Sequence, residues 1–433
     1  MRARTVLRRL TASLVSLGET RMVCQAAASD TVYDNHHHLL LAAEWLLRAQ
    51  QASPNDGYSR MYSLYRRKWD RGYIETTGYI IPTLLEADRH LDGAACRESA
   101  MRAAEWLLTV QNSDGSFSDI DGGGSQAFDT GQCLLGFNYL YRTNGEARFR
   151  EAACRAGDWL VTTQDADGAW RRYAYLGRPH TYYTRVAAAL IELETLCGSE
   201  RHGTAGRANI AWAVSRQQPN SFFPDAEFVL HEPPYLHTIA YVMEGLLMAH
   251  GLTKEEEFLE PAWRNAEAFK VINLERELIL GSQYTPNYKV VGDSVCVTGV
   301  AQWAGICLDL YRLTGNEDYR RLAIRNMFYL KSKQIRNGIN TRGGFTASIP
   351  YYGPYASGKL VNWNNKFFID ALLKYLPLSV SLEEERAEWQ EATGRFRNRA
   401  AENIEFSGCP IHRQNPGPHS DRNARHGHPA TQE

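Results

Sequence analysis

The sequence predicts an all-α protein in which six helical hairpins close into an (α/α)6 toroid. Three observations predict it. A fourteen-residue segment is spelled twice, as AEWLLTVQNSDGSF at 104–117 and as GDWLVTTQDADGAW at 157–170. The same aromatic-to-Gln spacing recurs at Trp45/Gln50, Trp106/Gln111, Trp159/Gln164, Trp212/Gln217 and Tyr329/Gln334. Six apolar segments keep step with these, at 77–87, 130–141, 184–194, 238–249, 298–311 and 363–373, and five of them open on Thr.

Successive Gln residues are 61, 53, 53 and then 117 positions apart, so a copy that has lost its Gln falls at 266–277. A period of this length means stacked supersecondary units. Each Trp…Gln segment is amphipathic and reads as an outer helix, followed by a turn in which Asp-Gly supplies the chemistry. Each apolar segment reads as a helix buried on nearly every face. Its leading Thr reads as an N-cap, satisfying a free N–H of the first turn. Six parallel inner helices inside six outer ones make a closed ring. An open solenoid would need capping repeats and a more regular period.

Composition sets the outer bounds. The 433 residues are 44% apolar and 22% charged with a net charge of −1, the balance of a globular protein. That balance carries no basic field for nucleic acid, and no run of 18 apolar residues reads as a transmembrane segment. Residues 1–35 read as a basic, poorly ordered leader that stays on, which with the unpaired cysteines points to the cytoplasm. The alternative is the periplasm, if the leader is a signal peptide. Residues 36–378 carry the toroid. Residues 379–433 read as an extension that is helical at first and then disordered. His36, His37 and His38 read as a solvated helix start. No metal and no cofactor are expected.

The aligned Thr residues place the start of every inner helix at one end of the ring, where helix N-termini present free N–H groups and partial positive charge. Residues near those starts then converge. The catalytic candidates are Glu75, Asp129, His180, Tyr182, Arg185, His237 and Tyr241. Glu75 and Asp129 read equally as helix-start carboxylates. The histidines, each beside a Tyr at equivalent positions, read more readily as functional. Arg185, on an otherwise apolar helix, demands an anion or carboxylate. The substrate-binding candidates from the inner helices are Tyr79, Gln132, Gln302, Trp303, Asn362, Trp363 and Lys366. Loop segments add Tyr58, Arg60, Tyr62, Arg342 and Tyr351.

The Trp…Gln…Asp-Gly-aromatic segments resemble the repeat of the prenyltransferase and squalene-cyclase superfamily of α/α toroids. YIETTGYIIPTLL, FDTGQ, HTYYTRVAAAL, LHTIAY, CVTGVAQWAGICLDLYRLTG and RGGFTASIPYYG…NWNNKFFIDALL further resemble a group of bacterial proteins from exopolysaccharide gene clusters, over residues 40–376. The resemblance implies the toroid and a place in exopolysaccharide metabolism. It does not fix the reaction.

Four readings of the reaction follow. The first is a lyase or 5-epimerase on a uronate-containing carbohydrate. His237 or His180 would be the base, Tyr241 or Tyr182 the acid, and Arg185 with Asn362 would neutralise the sugar carboxylate. Lyases, an epimerase and hydrolases are found on such toroids, which is an analogy of fold. A glycoside hydrolase would instead use Glu75 and Asp129 as its carboxylate pair. The second is an isoprenoid cyclase or prenyltransferase, but DIDGGG at 119–124 lacks the last acid of a DxDD motif and no DDxxD occurs. The third, a zinc-dependent lanthionine-type cyclase, would need three ligands including a Cys-His dipeptide, and the chain has none. The fourth is a glycan-binding assembly factor that does not turn over.

Overall fold

The structure, a computed structural model, describes residues 17–406. Twelve of its helices form the ring. The outer helices are α2 (Asn35–Gln51), α4 (Ala95–Val110), α6 (Ala147–Thr163), α8 (Glu200–Ser215), α10 (Glu256–Glu275) and α12 (Glu317–Lys333). The inner helices are α3 (Ile74–Ala87), α5 (Ala127–Asn144), α7 (Thr184–Cys197), α9 (Leu236–Thr253), α11 (Val297–Thr314) and α13 (Asn362–Tyr375). Each inner helix packs on the next, and α13 packs back on α3, so the ring is closed. The chain is an (α/α)6 toroid. No described helix is long and apolar enough to cross a membrane.

The hairpins run differently from the sequence reading. Each inner helix packs tightly on the outer helix that follows it, and only lightly on the one before. Short links make those tight hairpins. Gly145, Gly198 and Gly315 take left-handed conformations at the ends of α5, α7 and α11 and turn the chain at once. The outer-to-inner links are long and all lie at the ends where inner helices begin. They hold every strand among the described residues, including the sheet β2–β1–β3 (Lys68–Trp69, Met61–Ser63, Lys359–Val361). One face of the ring is therefore built of loops and the other of tight turns.

The repeated Gln explains the repeat. Gln164 Nε2 donates to Gly168 O in its own turn and to Ala205 O on α8, the next outer helix, both at 2.9 Å. Gln111 does the same to Gly115 O at 3.0 Å and Ala152 O at 2.9 Å. Gln217 reaches Ser221 O at 3.1 Å and Pro261 O at 2.9 Å, and Gln50 reaches Asp56 O at 2.7 Å and Ser99 O at 2.9 Å. In the copy without Gln, Asn273 takes the place and donates to Glu277 O at 2.9 Å. The Asp-Gly turn packs into the same joint. Gly168 sits at φ +89°, and a Cβ there would lie 2.4 Å from Ala208 O. Only Gly satisfies both the turn and the approach.

The leading Thr residues are not N-caps. The caps are Tyr73, Gln126, Tyr183, Tyr235 and Cys296, none with a side-chain capping bond. Thr77 and Thr130 lie inside the first turn. Their hydroxyls donate to Tyr73 O and Gln126 O at 2.7 Å and accept from the N–H of Tyr58 at 3.1 Å and Phe117 at 3.0 Å. They pin an incoming loop to the helix start, a role that needs the same hydroxyl one turn further along.

The ends depart from expectation as well. Residues 17–27 of the supposed leader form a helix, α1 (Leu17–Ala27), which packs on α12 and buries Val23. Residues 1–16 and 407–433 lie outside the described residues. The extension begins as the expected helix, α14 (Leu382–Phe406), held by a buried pair in which Lys331 donates to Glu385 at 2.6 Å. His38 is buried, not solvated. Its Nδ1 meets Gln334 Oε1 at 2.6 Å, and Gln334 Nε2 donates to His38 O at 3.2 Å, which joins the last repeat to the first. Replacing Gln164 by Ala leaves two carbonyls without their donor, so the variant is expected to lose about 1–3 kcal/mol in urea or thermal unfolding.

Candidate active site

The inner helices are not apolar all round. Each carries a polar stripe at helical spacing that faces the ring axis: Glu75, Tyr79, Thr83 and Glu86 on α3, or His237, Tyr241 and Glu244 on α9. The stripes meet in the lumen in two layers.

The layer nearer the loop face holds carboxylates and aromatic rings. Tyr73 Oη donates to Glu75 Oε2 at 2.6 Å, and Tyr79 Oη lies 3.5 Å from Glu75 Oε1. Glu75 is half-buried and Asp129 is buried. Neither is in an ion pair among the described residues, and Asp129 Oδ2 is buried without a hydrogen-bond partner. Burial raises Glu75 to about 7, opposed by the Tyr73 bond and the Arg185 charge. Burial also raises Asp129, reinforced by the charges of Glu75 and Asp119. The charge of Glu75 thus resists the ionisation of Asp129.

The aromatic wall stands over this pair. His180 stacks on Tyr182 with ring centres 4.7 Å apart, and Phe128 lies between Tyr182, at 5.3 Å, and Tyr241, at 5.5 Å. His180 Nε2 meets Tyr175 O at 3.0 Å, while its Nδ1 is buried and unpartnered. Bonding to a carbonyl makes Nε2 the protonated nitrogen, and burial lowers the pKa of the ring, so His180 is neutral. Tyr175 and Leu176 project from the same loop and are exposed.

The second layer crosses the middle of the ring. Arg185 donates to Glu244 at 2.6 Å and to Gln132 Oε1 at 3.4 Å, and its guanidinium lies 4.8 Å over the Tyr241 ring. Gln302 Nε2 donates to the same Glu244 at 3.1 Å, and its Oε1 meets His237 Nδ1 at 2.7 Å. His237 is buried, and burial takes it down to about 3. Lys366 pairs with Asp370 at 2.5 Å, and its ammonium lies 3.9 Å over Phe367. The anion that Arg185 demanded is Glu244 of the chain itself. Its place at i+3 from Tyr241 and i+7 from His237 was the missed signal.

Other candidates lie elsewhere. Tyr58 is fully buried and bonds Ser99 on α4 at 3.0 Å, and Tyr62 donates to Glu19 of α1 at 2.9 Å. Trp303 points outward and donates to Asn273 at 2.9 Å, and Asn362 ties Ser59 O and Thr76 together at 3.1 and 2.7 Å. These four hold the wall. Arg60 stands on the loop face, paired with Asp70 and Asp121 at 2.8 Å each. Arg342 is paired with Glu44 at 3.1 Å, and Tyr351 packs on Tyr352, 5.4 Å between ring centres. Trp363 donates to Tyr355 Oη at 2.9 Å, and Tyr355, which the sequence did not single out, stands 5.8 Å from His237.

Below the second layer, towards the tight-turn face, the lumen opens into a cavity of about 760 Å³. Tyr79, Arg185, Gln302 and Lys366 form its floor. Glu244→Ala is expected to cost roughly 3–5 kcal/mol by stranding Arg185, whereas Arg185→Met with Glu244→Met costs far less. Chemical denaturation of the single and double variants checks this.

No protein-family model and no curated protein sequence matches the chain. Solved structures match it in fold. An unsaturated glucuronyl hydrolase specific for heparin superposes with a TM-score of 0.64 at 14% identity, over 80% of this chain and 97% of that one. A sugar epimerase from a ruminal bacterium gives 0.62 at 13% identity, over 79% and 100%. A cellobiose 2-epimerase from Bacillus thermoamylovorans gives 0.59 at 13% identity, over 78% and 98%. At these identities the likeness is one of fold, and it is to (α/α)6 toroids.

Proposed function

We infer that the chain is a carbohydrate-active enzyme that cleaves a glycosidic bond with water, using Glu75 and Asp129 as its proton donor and acceptor. The observation that carries this reading is Asp129 Oδ2, a buried and unpartnered carboxylate oxygen beside a second carboxyl held above its usual range. Burial and the repulsion between the two charges favour a state in which one carboxyl is protonated and the other ionised. The protonated member gives its proton to the glycosidic oxygen as the C–O bond breaks. The ionised member takes a proton from the water that forms the new bond. Rings at the loop face, Tyr175 among them, suit the apolar faces of a sugar. The hydrolase and epimerases among the structural neighbours support a carbohydrate substrate.

The lyase or 5-epimerase reading with His237 as base has less support. Its Nδ1 is bound to Gln302, its basicity is lowered by burial, and Arg185 is neutralised by Glu244. His180 favours a form of it, because the free Nδ1 of a neutral ring beside Tyr182 is a base in waiting. A part in exopolysaccharide metabolism remains a proposal that rests on sequence resemblance.

The test is release of reducing ends from a panel of neutral and uronate-containing glycans. Glu75→Gln and Asp129→Asn are each expected to lower the rate about 10²–10⁴-fold with the fold intact by circular dichroism. Deprotonation removes the donor, so the rate should fall as pH rises through about 7. Ultraviolet absorbance from an unsaturated uronide, or deuterium uptake without cleavage, either one lost in His180→Ala, would instead establish the second reading.

A further inference from the structure

The cavity on the tight-turn face is separate from the Glu75–Asp129 pair. Tyr79 and the Arg185–Glu244–Gln302 network lie between them. The glycines of the inner helices say what the cavity is for. Gly78, Gly131, Gly136, Gly245 and Gly299 are each pressed by a neighbour, with the nearest atom 2.4–2.8 Å from where a Cβ would stand. Packing requires these five. Gly305 and Gly251 differ. A Cβ on Gly305 would meet nothing closer than Lys374 Nζ at 3.9 Å, and one on Gly251 would meet nothing within 4 Å. Both lie within helices at ordinary helical φ, where Gly is less stable than Ala. Both line the cavity. Gly305 is buried, so the volume it leaves open is the cavity's own, whereas Gly251 is exposed.

The charges say what fits. Lys366 is paired with Asp370 at 2.5 Å, Lys374 with Asp309 at 2.5 Å, and Arg142 with Glu192. Each pair cancels its own charge, yet leaves N–H groups and carboxylate lone pairs pointing at the space. Of the other cations in the lining, Arg312 shares Asp309 at 3.8 Å and Lys254, in no ion pair among the described residues, is exposed, so a ligand with net charge finds no uncompensated partner among the buried charges. A neutral polyhydroxy compound accepts from one member of a pair and donates to the other. Tyr79, Tyr139, Leu247 and Phe367 offer faces for its C–H surface.

We propose that this cavity is a second ligand site, on the face of the ring opposite the loops, that takes a short neutral saccharide. The inference does not rest on Glu75 or Asp129, and failure of the hydrolase reading would leave it standing.

The experiment is isothermal titration of the full chain with cellobiose, with glucuronate and glucosamine as charged comparisons. Gly305→Phe fills the space, and Gly305→Ala controls for the helix. Cellobiose is expected to bind the wild type and Gly305→Ala. It should bind at least tenfold more weakly to Gly305→Phe, and with unchanged affinity to Glu75→Gln. Glucuronate and glucosamine should bind more weakly than cellobiose. Should Gly305→Phe fail to fold, Lys374→Met with Asp309→Leu removes one pair and should give the same loss. Absence of cellobiose binding, binding indifferent to both the filling and the pair variants, or binding lost in Glu75→Gln would each overturn the proposal. So would a preference for either charged sugar.

Discussion

One side-chain amide holds the ring together. A helix packed only sideways on its neighbours slides along them at little cost, because apolar contact is not directional. The repeated Gln removes that freedom. Its amide binds the turn that ends one outer helix and a carbonyl in the body of the next, as Gln164 does with Gly168 and Ala205. In three of the copies, Gln50, Gln111 and Gln217, the oxygen then accepts from an arginine of that next helix, as Arg264 donates to Gln217 at 2.8 Å. Each hairpin is thereby fixed in height and rotation against its neighbour, and the inner helices inherit the alignment. The convergence of Glu75, Asp129, His180 and His237 on one lumen follows from joints on the outside of the ring.

The lumen poses the opposite difficulty. Six buried helices with polar stripes bring many charges to one axis, where each ion costs several kcal/mol to desolvate unless paired. Arg185 has Glu244, Lys366 has Asp370 and Lys374 has Asp309. Glu75 and Asp129 are the exception, two like charges left to share. That exception separates the upper layer, with two carboxyls that no cation neutralises, from the lower one, where these charges are paired.

The ring itself was legible in the sequence because its joints use one residue at one spacing. The Trp…Gln period marked every outer helix, even through the gap that Asn273 fills. Hairpin pairing was not legible, because the repeat unit read from Gln to Gln is not the unit that packs. The Thr residues misled for a related reason: a hydroxyl in the first turn and a hydroxyl at the cap differ by about one turn, which spacing alone does not resolve. In the site, Arg185 announced that it had a partner, while Glu244 stayed hidden on a helix that reads as apolar. Tyr58, Tyr62 and Trp303 looked available because composition does not say which face of a ring a side chain takes.

The seam between Gln334 and His38 makes this a hoop and not a stack. In a stack, growth at one end never depends on the other. Here the first outer helix is made long before the groups that complete it, since α2 packs on α13 and His38 meets Gln334 across nearly the whole chain. A nascent chain leaving the ribosome therefore carries an unfinished edge until its last hairpin emerges. Selection on the final repeat is selection on the start of the protein as well, and a deletion of one whole hairpin would change the curvature at every joint at once.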